Sequence, residues 1–69
     1  MFFGEKIKLL REQDKLSVED LVIELAQIGL RVSSETVRNW EKGVTYPNGD
    51  DIDKLAQFFN REPGYFFVQ

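Results

Sequence analysis

Hydrophobic positions along this chain recur every three or four residues in five short stretches. No stretch alternates polar with apolar in the period of two that a half-buried strand requires. Phe3, Ile7 and Leu10, with Phe2 and Leu9 flanking them, predict a first helix over about residues 3–13, closed by the polar break Gln13-Asp14-Lys15. Val18, Leu21, Val22 and Leu25 mark the buried side of a second helix from Val18 to about Gln27. Val37 and Trp40, three apart, set the inward side of a third helix over about residues 33–42. Ile52, Leu55, Ala56 and Phe59 do the same for a fourth, and Pro63 suits the first turn of a last short helix through Phe67. The predicted fold class is all-α, a compact bundle of five short helices with Ile7, Leu10, Leu21, Leu25, Val37, Trp40, Ile52, Leu55, Ala56 and Phe59 as its core.

Residues that start and stop helices agree with this division. Ser17 precedes Val18-Glu19-Asp20, so its side-chain oxygen can accept a free amide proton while an acid sits at the positive helix end. Gly29, flanked by Ile28 and Leu30, reads as the left-handed residue that closes the second helix. Ser33 or Ser34 caps the third, and Gly43 ends it. The segment from Gly43 to Gly49 is a loop by its Gly, Pro and Asn content. Asn48 then caps the fourth helix, whose first turn carries Asp50, Asp51 and Asp53.

Length makes the packing demanding. A chain of 69 residues buries only roughly 60% of the surface its unfolded form exposes. With no Cys there is no disulfide, and with no His as well there is no Cys/His metal site. Nine aromatic residues supply bulk instead: Phe2, Phe3, Trp40, Tyr46, Phe58, Phe59, Tyr65, Phe66 and Phe67. No apolar run approaches the roughly 20 residues of a membrane helix, and the charged N-terminus does not resemble a secretory signal. A cytoplasmic location is the expectation.

The net charge is −3, but its distribution is uneven. Residues 1–16 and 31–49 each carry +1, whereas residues 17–30 carry −3 and residues 50–69 carry −2. The acidic groups are concentrated away from the third helix.

The stretches Leu16-Ser17-Val18-Glu19-Asp20-Leu21 and Val32-Ser33-Ser34-Glu35-Thr36-Val37-Arg38-Asn39-Trp40-Glu41-Lys42-Gly43 resemble the motif of the Cro and phage-repressor (XRE-type) helix-turn-helix family. Gly4 to Glu12 looks like that family's first helix, Pro47 to Phe59 like its fourth, and Arg61 to Phe67 like its fifth. The resemblance thus covers nearly the whole chain. Two features depart from it. The chain is longer than usual between Leu16 and Trp40, the extra residues falling around Glu24 to Arg31. Val18 also stands where many members place a Gln that touches the DNA backbone.

The resemblance implies a lambda-repressor-like bundle whose second and third helices form the helix-turn-helix, with the third as recognition helix in the major groove. It implies base contacts from Ser34, Glu35, Arg38 and Asn39; Asn can pair with adenine, Arg with guanine, and Glu can accept from cytosine. Each is expected to be exposed, opposite Val37 and Trp40. Phosphate contacts are expected from Ser17, Thr36, Lys42, Thr45 and Tyr46 at the groove rim. The resemblance also implies that Glu41 bonds to Arg11, tying the third helix to the first.

Double-stranded DNA is therefore the expected partner and transcriptional regulation, repressor-like, the expected role. The apolar cluster Tyr65, Phe66 and Phe67 either folds back onto the bundle or makes a two-fold dimer contact, to which Phe3 can add. The acidic balance, Glu35 and Val18 keep a second reading open: a protein-interaction or antitoxin-like module with weak or no DNA binding. No cofactor, metal or small-molecule substrate is expected. The sequence has no Gly-rich phosphate loop, and Asp50, Asp51 and Asp53 read as charge matched to a helix N-terminus, so an enzyme is not expected.

Overall fold

A computed structural model describes residues 1–68, and among them every regular element is helical. Four α-helices follow one another: α1 Glu5–Gln13, α2 Val18–Gln27, α3 Ser34–Lys42 and α4 Gly49–Phe59. The expected fifth helix is a 3₁₀ helix, Pro63–Phe67. Pro63 starts it without a side-chain cap, and the element is a short piece of the kind in which 3₁₀ helices occur.

Local chemistry explains most of the boundaries. Ser17 and Asp20 form a reciprocal capping box at the start of α2, each side chain accepting the other's backbone N–H, at 3.0 and 3.2 Å. Ser33, not Ser34, caps α3 by accepting the Thr36 amide at 3.1 Å. Asn48 Oδ1 accepts the Asp51 amide at 2.9 Å and opens α4. Gly29 and Gly43 take left-handed backbone at φ 93° and 77°. Asn60, at φ 56°, ends α4 in the same way with a side chain in place.

The first helix begins two residues later than its hydrophobic pattern predicts, because Gly4 is its N-cap. As a result Phe2, rather than Phe3, is the ring that enters the core. Phe2 is buried and packs on Phe66, with centroids 5.7 Å apart and planes nearly parallel. Phe3 is half-buried, and its amide donates to the Phe66 carbonyl at 2.7 Å, joining the two ends of the chain.

Ile7, Leu10, Leu21, Leu25, Val37, Trp40, Leu55, Ala56 and Phe59 are buried together with Phe2, Val18, Leu30 and Phe66. Ile52 is only half-buried, packed against the edge of this cluster. It is the fourth residue of α4, nearer the capped end than Leu55, Ala56 and Phe59, which are buried. Phe66 is fully buried, so this ring belongs to the chain's own core and is not available for a dimer contact.

Candidate nucleic-acid interface

The third helix is anchored by two residues. Val37 and Trp40 are 0% and 3% exposed. At about 100° per residue, Glu35 and Lys42 then point directly away from the core, with Arg38 and Asn39 on either side of them. Glu35, Arg38 and Lys42 are exposed.

Ser34 and Asn39 are half-buried, contrary to the expectation that all four base-reading candidates stand free. For Ser34 the reason is angular: it lies about 60° round the helix from Val37 and so on the border of the buried side. Asn39 is on the opposite border, beside the loop after α3, and its carbonyl accepts the Val44 amide at 2.9 Å. The outward strip therefore consists of Glu35, Arg38 and Lys42, with Asn39 along one edge.

Arg38 is not alone. Its Nη2 donates to Oε2 of Glu19, in the first turn of α2, and both side chains are exposed. A hydrogen bond from its own backbone amide and the bond from Arg38 hold the Glu19 carboxyl below the ordinary carboxylate range. Periodicity gives no sign of this pair, because its members lie 19 residues apart on different helices. Only the crossing of α2 and α3 brings them together.

The rim residues differ in how free they are. Lys42, Thr45 and Tyr46 are exposed at the end of α3 and in the loop after it. Tyr46 leans its ring edge-on against Phe2 at 6.3 Å between centroids. The Thr36 hydroxyl is shared with Ser33 at 2.9 Å. At Ser17, the hydroxyl and the amide are both engaged with Asp20. A phosphate arriving there would meet the carboxylates of Glu19 and Asp20, which complement the helix end themselves.

The base of α3 is fixed to α1. Arg11 Nε and Nη2 donate to the two carboxylate oxygens of Glu41 at 2.8 and 3.1 Å. The third nitrogen, Nη1, donates to the Leu16 carbonyl at 2.8 Å, a partner with no side-chain signature in the sequence. The pair with Glu41 raises the Arg11 pKa above its ordinary value. One guanidinium thus ties together α1, the turn leading into α2, and the last turn of α3.

Two consecutive helices joined through a Gly-closed turn, the second held by its inner face and offering a polar outer one, define a helix-turn-helix protein. The Helix-turn-helix family model matches residues 7–66, and the chain belongs to this XRE-, Cro- and lambda-repressor-like family of DNA-binding regulatory domains. Comparisons with curated proteins and with solved structures returned no match. No helix among the described residues is long and apolar enough to cross a membrane.

Proposed function

We propose that this domain, taken as residues 1–69, is a sequence-specific DNA-binding regulator of the repressor type that lays α3 in the major groove. The observation that carries the reading is the burial of Val37 and Trp40, which leaves Glu35, Arg38 and Lys42 on the free side of the helix. Arg38 and Asn39 read bases from the two flanks of that strip, and Glu35 reads from its centre. Ser34 reaches a base edge only from the border. Lys42, Thr45 and Tyr46 hold phosphates at the rim, with Thr36 beside them. Ser17 serves as a cap and not as a phosphate ligand.

Two copies act together in this reading. One module with so little excess positive charge has too few contacts for tight specific binding. Within the C-terminal apolar run, Phe67 and Val68, 43% and 57% exposed, are left for a two-fold contact once Phe66 is withdrawn into the core. Tyr65 is half-buried, with the Lys6 ammonium 4.4 Å from its ring centre, and borders that patch.

Selection of bound sequences from a random duplex pool at moderate salt tests the reading. Enrichment of an inverted repeat is the expected result. A second reading, a protein-interaction module that has lost its grip on DNA, is favoured by the carboxylates of Glu19, Asp20 and Glu35 in the first turns of α2 and α3. It requires that nothing be enriched and that binding to random duplex show almost no salt dependence.

A further inference from the structure

The outward strip of α3 contains one cation that the protein already occupies, and that arrangement has a consequence for selectivity. Arg38 donates through Nη2 to Glu19, and no other side-chain partner of Arg38 is found among the described residues. At 46% and 59% side-chain exposure, the two ions contribute little to holding the fold together. α2 and α3 are already joined by the packing of Leu21, Leu25 and Val37 in one core.

We propose that Glu19 is a specificity-determining residue: its carboxylate stands in for a DNA phosphate against Arg38 in the free protein. The proposal rests on α3 being the DNA-reading helix. A phosphate oxygen offers Arg38 the same kind of acceptor that Glu19 already supplies. Exchanging one for the other therefore gains little, and Glu19 is left uncompensated beside a polyanion whichever DNA group takes Arg38, a cost that only a stronger partner repays. A guanine edge offers O6 and N7 together, a bidentate partner that a single carboxylate contact does not match. Glu19 thus weakens binding to arbitrary duplex more than binding to the correct site. The acidic charge in α2 becomes a filter on Arg38 and not simply a handicap.

The test compares the unaltered protein with Glu19→Ala, Arg38→Ala, the double variant, and Glu62→Ala as a control that removes an exposed carboxylate from outside the helix-turn-helix. Each is titrated with the site enriched by selection and with random duplex, across a range of salt. Glu19→Ala is expected to bind random duplex several-fold more tightly, with a log–log salt slope steeper by about one ion. Its ratio of site to random affinity should fall several-fold. Glu62→Ala should keep that ratio, and adding Glu19→Ala to Arg38→Ala should not change it further. An unchanged ratio in Glu19→Ala overturns the proposal, as does an equal fall when Arg38 is absent. If the unaltered protein binds no duplex, the DNA reading itself fails, and the proposal goes with it.

Discussion

Arg11 and Glu41 meet edge to edge, two nitrogens on two oxygens, with their side chains only 11% and 7% exposed. Such a pair holds its geometry because each ion has a fixed partner and little water competes. Its disruption is costly for the same reason, since the ion left behind has no solvent shell. Glu41→Ala is expected to lower stability by about 3 kcal/mol. On a domain of this size that corresponds to a fall in Tm on the order of 15 °C. Replacing both partners, Arg11→Met with Glu41→Leu, should cost less than Glu41→Ala alone, because no charge is then stranded. Thermal melts of the three proteins decide it; coincidence of Glu41→Ala with the parent removes this role.

The contact between α1 and α3 depends equally on an absent side chain. A Cβ built on Gly4 would lie 1.7 Å from the Trp40 carbonyl oxygen and 2.8 Å from its carbon. Gly4 itself has ordinary helical backbone, φ −61° and ψ −26°, so the glycine is required by space and not by conformation. Gly43 is the converse case, at φ 77° with nothing within 4 Å of an added Cβ. Gly43→Ala should cost about 1 kcal/mol of backbone strain. Gly4→Ala must push α1 off α3 and should cost about 3 kcal/mol or more. Denaturant midpoints in the reverse order would contradict this account of the helix contact.

Neighbouring rings at the C-terminus should behave in opposite ways. Phe66 is fully buried against Phe2 and Tyr65, whereas Phe67 is 43% exposed. Phe66→Ala is expected to lose about 3–5 kcal/mol, a large share of a total of about 5–10 kcal/mol. Phe67 meets Phe2 only edge-on, at 5.8 Å between centroids, so Phe67→Ala should cost far less stability and alter the concentration dependence of self-association, measured by sedimentation. A comparable loss of stability from both would place Phe67 in the core as well.

Capping residues made the helix boundaries readable, because Ser17, Ser33, Asn48, Gly29 and Gly43 each act on backbone groups within a few positions of themselves. Periodicity of 3.6 residues likewise identified the inward faces of α2 and α3. What could not be read was any choice between adjacent candidates. Phe2 and Phe3 are both apolar, and which one enters the core depends on where Gly4 lets α1 begin. Tyr65, Phe66 and Phe67 form a continuous apolar run, and only the 3₁₀ geometry selects the middle ring for burial. The Glu19–Arg38 contact and the Leu16 carbonyl on Arg11 are products of tertiary crossing, with no local signal to announce them.

The four residues along the outer side of α3 should separate by chemistry once a binding site is known. Arg38 and Asn39 carry groups able to make two hydrogen bonds to one base, so losing either should cost about 1–3 kcal/mol at the cognate base and relax preference there. Lys42 is a point charge at the end of the helix, suited to a phosphate that every sequence provides. Lys42→Ala should therefore weaken all duplexes alike and reduce the salt slope by about one. Glu35, at the centre of the strip, is a carboxylate facing a polyanion; Glu35→Gln should tighten random binding while blurring preference for a cytosine. Preference profiles from the random pool test all four at once. Identical profiles for Arg38→Ala and Lys42→Ala would mean that Arg38 also holds only backbone, and the reading of bases would have to move to Glu35 and Asn39.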